Sequence, residues 1–420
     1  MKKNLAVIIL AAGKGERMKS STPKVLHNLC ARPLLAYVLD LTSSLKPKKT
    51  VAVLGYKHEV VRKELTKDIS VVIQKKLLGT ADAVKLALSK LKGFKGTVLV
   101  LYGDTPLLRK ETVDKLLKYH IDNSVDATLL TGKMNKPKGY GRIFRDKYFN
   151  ISRIIEEKDA DDFDKDILEV NTGIICFKKD SLEKALKKVR PNNRKKEYYL
   201  TDTIGILYKE GKLVDGVKID DVKEAMGINS HLELAMANSI MQLRINEKFM
   251  LSGVTIVDTA STFIGYGSKI GQDSVIYPFT VIERGVKIGK HCSIGPFAHL
   301  RKGTDLADNV TLGNFIETTR TKIGANTFAK HFSYIGDARL GARVNIGAGT
   351  VTANFDGSSK HNTIIKDDAM IGSDTVLVAP VRVGRHSKTG AGAVVIKDIP
   401  DKKVAVGVPA KILNKRGRNG

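Results

Sequence analysis

Residues 264–300 read IGYGSKIGQDSVIYPFTVIERGVKIGKHCSIGPFAHL, with an aliphatic residue returning at every sixth position. The series continues as Ile264, Ile270, Ile276, Ile282, Ile288, Ile294, Leu300, Leu306 and Leu312, shifts phase at Ile323 and Leu340, and resumes at Ile371, Leu377, Val383, Thr389 and Val395. Glycine follows five of the first nine, and a mostly small residue stands four positions after each, as at Ser274, Thr280, Cys292 and Ala298. Positions i and i+4 share one face of a strand, so each hexad offers one large and one small inward side chain. A six-residue period predicts a parallel β-helix whose stacked coils bury a continuous core. A coiled coil would need sevens.

Upstream the texture differs. Short apolar runs alternate with amphipathic stretches over residues 1–230, the pattern of an α/β domain. Strands are expected at Ala6–Leu10, Thr50–Leu54, Ser70–Ile73, Thr97–Leu101, Ala127–Leu130 and Gly173–Phe177, with helices at Ala81–Leu91 and Lys110–His120. Residues 231–250 lack Gly and Pro and carry apolar residues at helical spacing, which predicts a linker helix. The expected organisation is therefore an α/β domain at 1–230, a linker helix at 231–250, a hexapeptide β-helix at 251–400 and a basic tail at 401–420.

At 420 residues, with 42% hydrophobic and 27% charged residues, the chain has the composition of a globular protein of two or three domains. Three scattered cysteines exclude a disulfide framework or a cysteine-based zinc site. No apolar run approaches the ~20 residues of a membrane span, so membrane insertion is not expected. Lys2, Lys3 and the apolar run behind them resemble a secretory leader, but the run passes directly into a glycine loop. The expected location is cytoplasmic. Net charge is +27, which favours anionic ligands; no nucleic-acid recognition motif accompanies it, so nucleic acid is not an expected partner.

Following the first expected strand comes Leu10-Ala11-Ala12-Gly13-Lys14-Gly15-Glu16-Arg17-Met18, then Pro23-Lys24. Glycines and small residues let backbone N–H groups approach phosphate oxygens, and a fixed cation neutralises them. The Lys-Ser/Thr pair of a Walker loop is missing, and Met18 stands where a dinucleotide fingerprint has its third glycine. The string resembles the signature of sugar-phosphate nucleotidyltransferases. Further matches follow in order at Gln74, Gly79-Thr80, Tyr102-Gly103-Asp104, Gly139–Arg142, Glu156, Asn171–Gly173, Glu197–Asp202 and Gly227–Asn229. With the hexapeptide half, the chain is similar to the bifunctional N-acetylglucosamine-1-phosphate uridyltransferase / glucosamine-1-phosphate acetyltransferase family, from Leu5 to about Pro409.

The resemblance implies a Rossmann-like nucleotidyltransferase domain and a left-handed β-helix that forms a homotrimer. Leu10, Ala11, Ala12, Gly13, Lys24, Gln74, Gly79 and Thr80 would bind UTP, the last three at the uracil. Arg17 and Lys24 would be catalytic, and Asp104 with Asn229 would hold Mg²⁺, which takes few protein oxygens. Gly141, Glu156 and Asn171 would hold N-acetylglucosamine-1-phosphate, in a pocket that Glu197–Asp202 helps shape.

In the second half His331 matches the family's base for acetyl transfer, a role suited to histidine because its ordinary pKa lies near neutrality. Arg301, Tyr334, Asn345 and Lys360 would bind glucosamine-1-phosphate; Ala348, Asn354, Phe355, Ser373 and Ala391 would bind acetyl-coenzyme A. Three positions depart from the family pattern. Thr319 replaces a phosphate-binding lysine, Phe355 a tyrosine, and Gly407 an arginine present in some members. Loss of a charge-assisted phosphate contact costs about 1.5–3 kcal/mol, so weaker acetyl-acceptor binding is expected unless Arg320 substitutes.

The leading expectation is an enzyme that acetylates glucosamine-1-phosphate and then couples the product to UTP, acting on small anionic substrates. A nucleotidyltransferase with a merely trimerising β-helix, or a non-catalytic subunit of the same fold, are the alternatives. Retained His331 opposes the first, while Thr319 and Phe355 favour it; Arg17, Lys24, Asp104 and Asn229 oppose the second.

Overall fold

The computed structural model describes residues 4–413 and divides into two compact units at Ala237/Asn238, inside a helix spanning His231–Leu251.

In the first unit a nine-stranded sheet has the path Val214–Lys218, Ala127–Lys133, Glu169–Lys178, Thr97–Tyr102, Leu5–Ala11, Lys49–Leu54 and Ser70–Ile73. Leu5–Ala11 is parallel to both neighbours, Thr97–Tyr102 and Lys49–Leu54, and is buried along its full length. Such a strand needs apolar residues on both faces, which is why LAVIILA does not alternate. From it the chain winds first to one side and later to the other. The switch point therefore lies between Leu5–Ala11 and Thr97–Tyr102, where open α/β sheets bind ligands beyond the carboxyl ends.

Several boundaries move. The strand expected at Gly173–Phe177 runs Glu169–Lys178, with a register shift between Asn171 and Ile175 where Gly173 has φ +85°. Thr80–Leu88 is α-helical and Ser89–Leu91 a 3₁₀ turn, replacing one helix expected over Ala81–Leu91. The strands Gly141–Arg145, Ile151–Ile155 and Val214–Lys218 and the helices Leu34–Ser44 and Asp202–Lys209 are additional to the expected elements. The first two form a hairpin that carries part of the site.

In the second unit the hexads form parallel ladders. Val275 pairs with Ser293, and Lys269 with Lys287, so three hexads of six residues make one 18-residue coil. The periodic aliphatics Ile276, Ile282, Ile294, Leu300 and Leu312 lie in the core with Ser274, Thr280, Cys292 and Ala298. The phase shift at Ile323 has a simple cause: Thr311 pairs with Phe328, a coil one residue short. Asn345 pairs with Met370, 25 residues on, because an excursion including Asp356–Lys360 is inserted. Glycine at the second hexad position answers to coil spacing, since a Cβ on Gly313 would lie 1.9 Å from the Lys330 carbonyl oxygen.

The coil corners carry residues at positive φ, and one corner stacks Phe279, Phe297 and Phe315 with ring centroids 4.9 and 5.0 Å apart. The helix is tied to its first coil by Asn246, which donates to the carbonyls of Thr259 and Thr262. Within the expected tail, Val404–Val406 pairs with Lys388–Thr389 and with Lys411–Ile412. Residues 414–420 lie outside the described residues.

Candidate active sites

At the switch point the loop after Leu5–Ala11 is fixed by short contacts. Gly103 N–H donates to the Leu10 carbonyl and Tyr56 N–H to that of Ala12. Gly13 faces open space, whereas a Cβ on Gly15 would lie 2.7 Å from the Lys24 Cβ. Glycine at 15, at φ +69°, thus lets Lys24 fold back against the loop. The Lys24 ammonium pairs with the Asp104 carboxylate and donates to Asn229 Oδ1 at 3.0 Å. Ile228 N–H donates to the Asp104 carbonyl, which brings Asn229 into place. Asn229 spends its Nδ2 on the Gly227 carbonyl, so its oxygen is the atom left to face a cation. Arg17 is exposed on the 3₁₀ turn Glu16–Met18, anchored by buried Met18. A cavity of ≈ 370 Å³ opens along the loop, lined by Lys14, Gly15, Glu16, Lys19, Ser20 and Tyr56; Lys24 and Asp104 do not line it.

Gln74 follows the Ser70–Ile73 strand and donates through Nε2 to the Gly79 carbonyl at 3.0 Å. The 78–81 segment is bound to 198–200: Tyr198 N–H donates to Leu78, Ala81 N–H to Tyr198, and Leu200 N–H to Thr80 Oγ1 at 2.9 Å. The Thr80 hydroxyl is thus an anchor as well as a candidate contact.

A third group gathers Gly141, Glu156 and Asn171. Asn171 pairs with Gly141 across the sheet, and a Cβ on Gly141 would sit 3.5 Å from Glu156 Oε2. Thr201 donates to Glu156 Oε1 at 2.9 Å. Burial raises the Glu156 carboxyl above its usual range. Asp202 is pushed up to about 6, first by burial and then by the charges of Glu156 and Asp159.

In the β-helix, Asn314 pairs with His331. Phe328 pairs with Asn345 and Tyr334 with Val351, both 17 residues apart, and the same offset sets Ala348 one coil beyond His331. Ser373 and Ala391 continue that column: Asp374 N–H donates to Ala348 and Gly392 N–H to Ser373. His331 is exposed.

Beside this column stands a second, His299, Glu317 and Tyr334. Arg301 donates to Glu317 Oε1 at 2.9 Å, a partner that the sequence reading missed. Tyr334 OH is 3.4 Å from Asn354 Nδ2, which also donates to Asp337. Arg320 grips that same Asp337 with two hydrogen bonds and reaches Thr319 Oγ1 at 3.1 Å. Arg320 is thus paired with a carboxylate as Arg301 is, by two hydrogen bonds rather than one. Thr319 itself is buried. Lys360 forms an isolated bridge with exposed Phe355 inside the insert. Gly407 accepts a hydrogen bond from Val394 N–H.

The MobA-like NTP transferase domain family matches residues 7–160, the bacterial transferase hexapeptide 267–302, and the hexapeptide repeat of succinyl-transferase 362–397. The bifunctional protein GlmU of Thermosipho africanus is 40% identical, aligned over 99% of this chain and 98% of its own. That of Syntrophotalea carbinolica is 43% identical over 96% and 94%. The GlmU of Clostridioides difficile is 40% identical over 96% and 95%. The chain belongs to the bifunctional GlmU family. It is a two-activity transferase: it acetylates glucosamine-1-phosphate from acetyl-coenzyme A and transfers uridylyl from UTP to N-acetylglucosamine-1-phosphate. Among its described residues no helix is long and apolar enough to cross a membrane.

Proposed function

We propose that uridylyl transfer runs at the switch point of the α/β unit and acetyl transfer along the His331 column of the β-helix. The observation that carries the first assignment is the Lys24 ammonium held between Asp104 and Asn229 Oδ1. A phosphate oxygen of the sugar phosphate attacks the α-phosphorus of UTP, and the bond to the β-phosphate breaks to release pyrophosphate. Loop amides at Leu10–Gly13 with Arg17 and Lys24 balance the charge on the phosphates, so catalysis is mainly positioning and electrostatics. Gln74, Gly79 and Thr80 hold the base; Gly141, Glu156 and Asn171 hold the acetylated sugar.

The oxygens of Asp104 and Asn229 already hold a cation, and hard oxygen donors suit Mg²⁺. Among the described residues no cluster of three or more metal-ligating side chains offers a fuller cage. An ion here would rest on those two residues with phosphate and water, and when bound it would neutralise triphosphate charge.

At the second site His331 takes a proton from the substrate amine as nitrogen attacks the thioester carbonyl, and returns it to sulfur as the C–S bond breaks and coenzyme A leaves as the thiol. Arg301, Tyr334, Asn345 and Lys360 hold the acceptor, while Ala348, Asn354, Phe355, Ser373 and Ala391 line the path of the acyl donor. The exposure of His331 on a flat coil face supports a homotrimer in which another copy covers this face. UTP and acetyl-coenzyme A are intracellular metabolites, which supports a cytoplasmic enzyme.

One assay tests these assignments. The protein is incubated with glucosamine-1-phosphate, acetyl-coenzyme A, UTP and Mg²⁺, and free thiol and pyrophosphate are followed separately. Both should appear; substitutions at the β-helix site should abolish thiol release, with pyrophosphate release restored by supplying N-acetylglucosamine-1-phosphate, and substitutions at the switch point should abolish pyrophosphate release alone. Loss of thiol release together with pyrophosphate release from pre-acetylated sugar, after a single substitution at either site, would contradict independent centres.

A further inference from the structure

The orientation of the Gln74 carboxamide is settled by two acceptors. Its Nε2 donates to the Gly79 carbonyl at 3.0 Å and to Asp82 Oδ2 at 2.8 Å, and the residue is only 4% exposed. A carboxamide nitrogen carries two hydrogens, and both are engaged. Turning the group over would set Oε1 against a carbonyl and a carboxylate, each an acceptor. Oε1 is therefore the polar atom that remains for a ligand.

Asp82 is itself held firmly. It lies in the first turn of Thr80–Leu88, where a carboxylate is favoured by the helix dipole. The start of that helix is fastened through Thr80 Oγ1 and Ala81 N–H to Leu200 and Tyr198.

We propose that Asp82 is a positioning residue that determines base selection in uridylyl transfer, by holding Gln74 so that it presents only an acceptor to the base. The inference rests on the placement of Gln74 at the base subsite. Uracil offers N3–H as a donor to that acceptor, whereas N3 of cytosine is an unprotonated acceptor and repels it. Without the Asp82 carboxylate one Gln74 N–H loses its partner, and that hydrogen becomes a donor which cytosine can use. Sites built on fixed donors and acceptors discriminate strongly because the wrong ligand leaves buried polar groups unpaired.

The test follows pyrophosphate release from the full-length protein with N-acetylglucosamine-1-phosphate, Mg²⁺ and either UTP or CTP. Asp82→Ala should raise KM for UTP about 10-fold with kcat changed less than about 3-fold, and lower the UTP-over-CTP preference in kcat/KM about 10-fold or more. Asp82→Ser, with a hydroxyl too short to reach Nε2, should do the same and guards against an alanine variant that does not fold. Asp82→Asn keeps an acceptor oxygen and should restore most of the preference, which a purely structural role of the helix start would not produce. Preference and KM at wild-type values in Asp82→Ala and Asp82→Ser, with both lost in Gln74→Ala, would overturn the role of Asp82. Preference retained in Gln74→Ala would instead overturn the placement of the base.

Discussion

The two sites of this chain differ in how much of their surroundings one copy supplies. At the switch point, the side chains of Lys24 and Asp104 are 14% and 13% exposed, and each is already paired. On the β-helix, His331 is exposed and Arg301 is 45% exposed beside Glu317. Charges in a recess interact strongly and need little reorganisation, whereas the same groups on an open face are screened by water. A curved sheet makes a recess at its switch point; a prism of flat coil faces makes none. The first site is thus preorganised by its own unit, whereas the second lies open on this copy of the chain.

The sharpest test of this contrast is reciprocal. His331→Ala should lower thiol release about 10²–10⁴-fold, the usual worth of a general base, while pyrophosphate release from pre-acetylated sugar stays at wild-type level. Lys24→Ala should do the converse, costing about 10²-fold or more in uridylyl transfer with acetyl transfer intact. Separate thiol and pyrophosphate assays check both, and cross-talk in either would break the comparison.

Next in size is the effect of dilution. If another copy covers the His331 face, acetyl transfer per mole of chain declines once the oligomer dissociates, while uridylyl transfer stays flat. Activity measured alongside sedimentation over a concentration series decides it, and parallel decline of both would count against the contrast.

A smaller effect separates two arginines of the second site. Arg301→Ala should raise KM for glucosamine-1-phosphate about 10-fold. Arg320→Ala should raise it less than about 3-fold, because Arg320 is spent on Asp337. Equal effects would mean that Arg320 serves the phosphate after all.

The smallest concerns the pH response of the recessed site. Asp202 titrates at about 6 in the folded chain, against about 3.9 for an unperturbed aspartate. Between those values the folded state keeps a proton that the unfolded state has lost, so this group's contribution to stability falls as pH rises through the window. Asp202→Asn should therefore raise the Tm of the α/β unit by about 2–4 °C near pH 7.5, and the gain should shrink as pH is lowered toward 4. A gain independent of pH, measured calorimetrically, would contradict the burial of a carboxyl there.

Much of this is legible in the amino-acid sequence. The glycine loop and Lys24 lie close together in sequence, and His331 and Ala348 stand one 17-residue coil apart, so local order preserves them, whereas the insert sets Ser373 25 residues beyond Ala348. The hairpin bearing Gly141 and Glu156 was not legible, because two five-residue strands beside a positive-φ glycine give no clear period. The ion pairs of Arg301 and Arg320 were missed for a different reason: a repeat tells which positions stack, not which charged tips choose each other.

By itself, then, the sequence determined the β-helix and the family of the chain, since a six-residue period and a dense motif are local properties of the chain. Only the tertiary structure decided that Asn229, 205 residues beyond Lys24, supplies the second oxygen to its ammonium, that Gln74 spends its Nε2 on Gly79 and Asp82, and that Arg320 pairs with Asp337. Those outcomes depend on sheet order and on competition among neighbouring donors and acceptors, which exist only once distant segments have been packed together.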